Sequence, residues 1–248
     1  MTVRVGALLW PQTNRWPALR EAALRADRAG LDSLWTWDHL MAIVGPWEQP
    51  ILEGWTMLAA LAEATERVEI GTLILINAFR NPAVVAKMAT TADEVSHGRV
   101  ILGLGAGYPG YNESMYQAFG LPFEHQVDRV AEALQILTPL LREGQVDFAG
   151  EYYHARNCED VPRGPRPDGP PLLVGGIGPR LLKLSAQYAD LWNTGYMGQP
   201  ETMAEPLAKI EAACRAVGRD PATLASRRWW ASGSLICKPN DRVSSTIP

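Results

Sequence analysis

The sequence has few cysteines and no long run of apolar residues. Its three cysteines, Cys158, Cys214 and Cys237, form no CxxC pair and stand too far apart to indicate a disulfide framework. No stretch approaches the roughly 20 apolar residues that a membrane-spanning helix needs. The opening segment, MTVRVGALLWPQ, does not have the pattern of a signal peptide. We therefore expect a cytoplasmic protein of a reducing compartment, with no membrane partner.

Positive charge is also in short supply. The 23 Lys and Arg residues are outnumbered by 27 Asp and Glu, the net charge is −4, and the sequence contains no basic run. Proteins that bind nucleic acid neutralise its phosphates with clustered cations, so we expect no nucleic-acid partner. The four histidines lack metal-ligand spacing, and no G-x-S-x-G motif occurs. These absences argue against a metal centre and against a serine hydrolase.

The sequence does contain a regular alternation of strand and helix patterns. Buried strands are predicted at 3–10, 31–37, 68–76, 99–104, 171–174, 191–196 and 228–236. Helices are predicted at 16–28, 53–64, 82–95, 127–141, 180–188 and 202–217. Strands that alternate with helices form a parallel sheet with right-handed crossovers, and a single α/β barrel commonly has about 200–250 residues. We therefore predict an α/β fold of the TIM-like (β/α)8 barrel type.

The alternation loosens after the fourth strand. A short helix at 113–119, a small hairpin at 146–153 around Gly150 and a proline-dense loop at 162–171 are predicted there. We interpret the region of about 108–170 as an insertion within a single domain that spans 1–248. Because the count of strands ends at seven, we expect the last βα unit of the barrel to be missing.

A glycine-rich stretch, RVILGLGAGYPG, contains the fourth strand and the turn that follows it. Within it, Gly105-Ala106-Gly107-Tyr108-Pro109-Gly110 is a literal match to the dinucleotide pattern G-x-G-x-x-G. The context does not fit that pattern, because Pro109 interrupts the turn and no second strand with a terminal acidic residue follows. The stretch is then either a glycine-lined barrel rim beside a ligand or a tight structural turn.

Two further segments lie at predicted strand ends, where α/β barrels carry their active sites. Gly175-Gly176-Ile177-Gly178 precedes a helix, so its amides are suited to a phosphate group, with Arg180 as added charge; a plain βα turn is the alternative. Asp38-His39 ends the second strand and is a candidate proton-transfer pair. The alternatives are that Asp38 caps a helix and that His39 lies on the surface.

Six tryptophans also fall on predicted strands. They either line the barrel mouth or pack in the core: Trp10, Trp35, Trp37, Trp192, Trp229 and Trp230.

Four segments in order resemble the bacterial luciferase-like flavin and deazaflavin oxidoreductases. They are WTWDHL, EGWTMLAALAEATERVEIGTLIL, RNPAVVAKMATTADEVSHGRVILGLGAG and PPLLVGGIGPRLLKLSAQYADLWN. The resemblance runs from about Val3 to Val217 and is closest to the F420-dependent branch. It implies reduced coenzyme F420, with FMN as the alternative, bound at the carboxyl-terminal rim of a barrel. It also implies a small-molecule substrate, a homodimer, and a separate flavin or F420 reductase that supplies the reduced cofactor.

The resemblance assigns roles to residues of this chain. Asp38 and His39 would lie by the deazaflavin ring, with His39 assisting proton transfer and Asp38 orienting it. A bulge with a non-proline cis peptide falls at Leu73-Ile74, behind the ring. The turn after the fourth strand, Gly105, Ala106 and Gly107, lines the same pocket. The turn after the fifth strand, Gly175, Gly176, Ile177 and Gly178, holds the cofactor phosphate.

Two departures from the family pattern bear on function. Tyr108 stands where some F420-dependent members place a glutamate as proton donor, so Tyr108 takes the candidate acid position, and sugar-phosphate dehydrogenase activity is disfavoured. The closing segment, NDRVSSTIP, does not resemble the eighth strand of the family. We expect a chain that is truncated, frameshifted or naturally short.

We therefore predict an enzyme, an F420-dependent oxidoreductase that transfers a hydride between the deazaflavin and a small organic substrate. An FMN-dependent monooxygenase that uses O2 is the first alternative. A degenerate cofactor-binding protein without activity is the second.

Overall fold

The computed structural model describes residues 4–107, 113–194 and 203–227, which form a parallel sheet covered by helices. The strands are β1 Gly6–Leu8, β2 Ser33–Thr36, β3 Glu69–Thr72, β4 Leu75–Ile76, β5 Val100–Gly105, β6 Gln145–Ala149, β7 His154–Glu159, β8 Leu172–Gly175, β9 Leu191–Asn193 and β10 Ala225–Arg227. The α-helices are α1 Trp16–Arg28, α2 Gly54–Ala64, α3 Pro82–Val95, α4 Glu113–Ala118, α5 Gln126–Arg142, α6 Pro179–Tyr188 and α7 Ala204–Ala216.

The main sheet has the strand order β1-β2-β3-β5-β8-β9-β10, with β4 paired to β5, and every pairing in it is parallel. Each strand thus lies beside its sequence neighbour in the sheet, with a helix crossing between them, as in a (β/α)8 barrel. This confirms the predicted α/β class. The predicted seventh strand, 228–236, lies outside the described residues.

The predicted third strand, 68–76, is two strands in the structure. β3 and β4 are separated by a cis peptide bond between Leu73 and Ile74. β3 pairs with β2 and β5, whereas β4 pairs with the far end of β5. The position that the family resemblance assigned to the cis peptide is confirmed.

Helix starts follow from local capping groups. The Asn81 side chain accepts the amide hydrogens of Ala83 (2.9 Å) and Val84 (3.4 Å), and this begins α3 at Pro82. The Glu53 carboxylate accepts the amide hydrogens of residues 55 and 56 in the same way and begins α2. These caps explain why both starts lie within one residue of their predicted positions.

The sheet packs against two hydrophobic clusters, and a third lies around Tyr116. The larger cluster lies between the sheet and its helices, and β5, buried along its whole length, runs through its centre. A smaller cluster of Trp35, Ile101, Leu173 and Leu191 fills the inside of the curved sheet. The described helices include none that is both long enough and apolar enough to cross a membrane.

The insertion between β5 and β8 contains α4, α5 and the antiparallel pair β6–β7. The hairpin turn is fixed by Glu132 of α5, whose carboxylate accepts the amide hydrogens of residues 151, 152 and 153. The turn lies at the predicted place, but β7 runs to Glu159, six residues beyond the predicted hairpin end at 153.

The short helix α4 of the insertion lies over the carboxyl end of β2. Leu40, which follows β2, donates its amide hydrogen to Sδ of Met115 in α4 (3.2 Å).

Candidate active site

The parallel sheet brings the predicted site segments to one edge. His39, the Leu73-Ile74 peptide, the turn at 105–107 and the turn at 175–178 all follow the carboxyl ends of neighbouring strands. Pockets in α/β barrels form at this edge, because the loops after the strands converge there. The structure therefore gathers the predicted segments, apart from Tyr108, which lies outside the described residues.

A buried ion-pair network supports this edge. Arg80 donates two hydrogen bonds to the Asp38 carboxylate, Nη1 to Oδ2 at 2.8 Å and Nη2 to Oδ1 at 2.9 Å. The same guanidinium binds Glu53, and the amide of Ile76 donates to Oδ2 of Asp38 at 2.8 Å. The Asp38 side chain is fully enclosed, and that of Arg80 is 15% exposed. The network joins the end of β2, the end of β4 and the start of α2.

Asp38 takes part in this network and makes no hydrogen bond to His39. Both of its carboxylate oxygens bind Arg80 and the Ile76 amide, and neither binds His39. Burial raises the pKa of Asp38, and the Arg80 guanidinium opposes that shift. Asp38 therefore orients backbone at the rim and does not orient the His39 ring. The cofactor-binding role of Asp38 stays a prediction.

His39 has a largely buried ring with an unsatisfied nitrogen. Burial lowers its pKa from 6.5 to about 4, so the imidazole is neutral near pH 7. Its Nδ1 atom has no hydrogen-bond partner among the described residues. The ring meets Trp37 edge to face, with centroids 5.9 Å apart, and Trp37 meets Trp10 in the same manner at 4.1 Å. A neutral, unpaired ring nitrogen beside an aromatic wall is suited to hold or accept one proton of a bound ligand.

The glycine turn after β5 has no room for side chains. A β-carbon at Gly105 would lie 1.9 Å from Cδ1 of Ile74, and one at Gly107 would lie 2.7 Å from the hydroxyl of Tyr116. Gly107 also has a φ of +84°, which disfavours other residues. Ala106 between them is buried. The Ile74 side chain and the Tyr116 hydroxyl therefore pack directly against the backbone of this turn.

Two polar groups missed by the sequence analysis lie beside Gly107. The Tyr116 side chain of α4 is fully buried, and its hydroxyl has no partner within the described ranges. Burial raises the pKa of Tyr116 to about 12, so it stays protonated. Nε2 of Gln126, at the start of α5, is also buried and unpaired. Nothing in the local sequence marked these residues, because their proximity to the turn depends on how the insertion folds.

The turn after β8 leaves a helix start open. Gly178 is the N-cap of α6 and makes no side-chain capping bond, while Ile177 is 55% exposed. The carbonyl oxygen of Gly176 accepts a hydrogen bond from Nε1 of Trp192 at 2.9 Å, which fixes the turn from behind. A helix start without a side-chain cap is suited to a phosphate. Arg180, predicted to add charge here, is instead exposed and paired with Asp128 of α5.

The described ranges contain no group of three or more His, Cys, Asp or Glu side chains placed to hold a metal ion.

Comparisons with known proteins agree with this geometry. The model of the luciferase-like monooxygenase family matches residues 2–243. The F420-dependent glucose-6-phosphate dehydrogenase of Amycolatopsis mediterranei is 33% identical over 92% of this chain and 73% of its own length. The F420-dependent hydroxymycolic acid dehydrogenase of Mycobacterium tuberculosis is 30% identical over 90% of this chain, but only 61% of its own length.

A solved structure is similar as well. An F420-dependent secondary alcohol dehydrogenase in complex with an F420-acetone adduct superposes with a TM-score of 0.77 and 26% identity, over 92% of this chain and 68% of its own. This chain thus spans about 61 to 73% of the length of these relatives. The barrel-type fold is confirmed by this likeness.

Proposed function

Because this chain belongs to the luciferase-like monooxygenase family, we propose that it is an F420-dependent oxidoreductase acting on a small organic alcohol or carbonyl compound. One observation carries the proposal: the neutral His39 ring and the open start of α6 lie at the same sheet edge, joined by glycine turns. The F420-dependent relatives, each 26 to 33% identical to this chain, support the choice of cofactor.

The residues present fit such a cofactor. The uncapped α6 start is an anion site for its phosphate. The small residues of the turn at 105–107 let the Ile74 side chain and the Tyr116 hydroxyl lie close to its backbone, where both can border a flat ring. Nδ1 of His39 is a buried polar atom that gains a partner when a ligand binds. When bound, coenzyme F420 supplies hydride transfer, and the protein supplies orientation and electrostatics.

The chain's own residues then have separable tasks. His39 holds or moves one proton at Nδ1, beside the reacting atoms. Arg80 and Asp38 keep the carboxyl end of β2 in place under it. Trp10 and Trp37 exclude water from one side of the His39 ring.

Titration of the purified protein with F420 and with FMN, followed by fluorescence, tests the proposal. We expect tight binding of F420 and weak binding of FMN. A Gly178→Asp variant places a carboxylate at the α6 start and is expected to weaken F420 binding at least tenfold, because like charges repel there. Preference for FMN would favour a monooxygenase, and failure to bind either cofactor would remove the basis of the proposal.

The pH dependence of activity is expected to reflect the lowered pKa of His39. Because this pKa is about 4, the rate is expected to be flat from pH 6 to 8 and to fall only as pH approaches 5 and below. His39→Asn is expected to lower kcat by about 100-fold, in the range found for proton-transfer groups. Steady-state rates between pH 4.5 and 8.5 measure both effects.

The matched control is His125→Asn, because His125 is exposed and Asn tolerates its positive φ of 57°. This variant is expected to keep the activity and pH profile of the parent.

The stability of the protein should also depend on His39. Since the folded-state pKa of His39 lies below the ordinary 6.5, the free energy of unfolding should decrease as pH falls from about 6.5 towards 4. A kinetic midpoint near 6.5 would show that His39 is not the buried, neutral group described.

A further inference from the structure

We propose that Tyr116 and Gln126 form a binding site for one neutral acceptor oxygen at the mouth of the curved sheet. The Tyr116 hydroxyl and the Gln126 amide nitrogen each donate a hydrogen bond to a carbonyl oxygen of the compound bound there. The inference rests on the proposed function and deepens it, because it adds two ligand contacts to that of His39. Both residues bind and position this oxygen, and neither transfers a proton to it.

Two unpaired donors meet at the turn after β5. A β-carbon at Gly107 would lie 2.7 Å from the Tyr116 hydroxyl and 3.5 Å from Oε1 of Gln126, so both side chains reach the same place. The Tyr116 side chain is fully buried. Neither its hydroxyl nor Nε2 of Gln126 has a hydrogen-bond partner within the part of the chain that the structure describes. Buried donors in folded proteins are nearly always paired, so two unpaired donors at one place indicate a ligand.

The Tyr116 hydroxyl lies on the inner face of the sheet. Ile74 packs against the small cluster that fills the inside of the sheet, whereas Leu75 belongs to the larger cluster on the helix side. Because side chains alternate between the two faces of a strand, Ile76 returns to the inner face. Its Cγ2 would lie 3.4 Å from a β-carbon at Gly107, the same place that the Tyr116 hydroxyl reaches. The hydroxyl is therefore at the inner edge of the mouth.

His39 points to the same side of the sheet. The Asp38 carboxylate binds towards the starts of α2 and α3, on the helix side, so the next side chain, His39, points to the inner side. The residue after His39, Leu40, donates its amide hydrogen to Sδ of Met115 (3.2 Å). Tyr116 follows Met115 directly. The unpaired Nδ1 of His39 and the unpaired hydroxyl of Tyr116 are thus neighbours at the mouth.

The charges at the mouth favour a neutral oxygen over an anion. The network of Asp38, Glu53 and Arg80 has two carboxylates and one guanidinium. Burial, with a smaller effect of the Asp38 charge, raises the pKa of Tyr116 to about 12, so its hydroxyl keeps its proton near pH 7. The Gln126 amide nitrogen is also an uncharged donor. Two neutral donors match the two lone pairs of one carbonyl oxygen, which either a deazaflavin ring or a small ketone can supply.

Tyr116→Phe tests the site, because it removes the hydroxyl and keeps the ring. The urea midpoint of the ligand-free variant is expected to equal or exceed that of the parent, since the lost hydroxyl is buried and unpaired. Affinity for the carbonyl ligand is expected to fall about three- to tenfold, the usual effect of losing one hydrogen bond. Two titrations measure affinity: F420 followed by fluorescence, and propanone followed by ligand-observed NMR on the protein saturated with F420.

Gln126→Leu is the second variant and is expected to lower the same affinity by a similar factor, because it removes the other donor. Tyr188→Phe is the matched control. Tyr188 is the last residue of α6, at the opposite end of that helix from its start at the rim. This control is expected to change neither affinity.

The outcomes separate the two proposals. A loss of F420 affinity in Tyr116→Phe identifies the bound oxygen as one of the cofactor, and a loss of propanone affinity alone identifies it as one of the substrate. If neither affinity falls, the oxygen site does not exist. A lower urea midpoint of the ligand-free variant would show that the hydroxyl is structural, which also overturns the site. If the parent protein binds no F420, the proposed function is wrong, and the propanone titration of the cofactor-free protein decides the oxygen site.

Discussion

Replacing Arg80 by methionine is expected to lower the free energy of unfolding by about 3–5 kcal/mol, the usual effect of removing one partner from a buried ion pair. The change leaves the Asp38 carboxylate enclosed without its bidentate partner, since that side chain has no exposed surface. It also removes the contact of Arg80 with Glu53, the residue that caps α2. Chemical denaturation at pH 7, monitored by tryptophan fluorescence, measures the loss.

Arg4→Met is the matched control for this variant. Arg4 pairs with Glu69 at 2.9 Å, but its side chain is 48% exposed, so the loss is expected to be below about 1 kcal/mol. The double variant Arg80→Met with Asp38→Leu is expected to recover part of the stability, because it removes the stranded charge. If Arg80→Met and Arg4→Met were equally stable, the network would not support the rim as described.

Replacing Gly54 by alanine is expected to destabilise the protein by about 3 kcal/mol or more, at the upper end of overpacking effects. A β-carbon there would lie 2.0 Å from the carbonyl oxygen of Trp37 and 3.2 Å from Cα of Asp38. Both contacts are to backbone, which cannot rotate away as a side chain does. Helix α2 must then move off the carboxyl end of β2, and His39 moves with that end.

Thermal and chemical unfolding measure the effect of Gly54→Ala, and F420 affinity reports on the rim. Gly178→Ala is the control for stability, because no atom lies within 4 Å of the added carbon and φ is −69°. Its loss is expected to be about 1 kcal/mol or less, the cost of alanine at an N-cap. A Gly54→Ala protein as stable as Gly178→Ala would mean that α2 does not rest on the Trp37 carbonyl.

The sequence predicted those features of the fold that depend on local pattern. Strands such as β5 and β8 are short apolar runs, and helices such as α3 have a capping residue and a proline at their start, so their positions were found within a few residues. β10, Ala225–Arg227, is not an apolar run and was not predicted. The cis peptide between β3 and β4 was predicted from the family resemblance. The apolar pattern could not predict it, because Leu73 and Ile74 continue the apolar run.

The candidate site was harder to predict, because its side chains find partners that are distant in sequence. Asp38 stands next to His39 in the chain, and this proximity suggested a catalytic pair. The Asp38 carboxylate instead accepts hydrogen bonds from Arg80, which is 42 residues away in the sequence. Tyr116 likewise carries no local signal, since its contact with the turn at Gly107 depends on how the insertion folds.

The network of Asp38, Glu53 and Arg80 also determines how the rim opens. Trp55 and Thr56 donate their amide hydrogens to Glu53, and Ile76 donates its amide hydrogen to Asp38. Arg80 binds both carboxylates. Release of Arg80 would remove a partner from both carboxylates at once. We therefore expect the floor of the site to open as one cooperative unit of local unfolding, whereas loops held by separate bonds open one at a time.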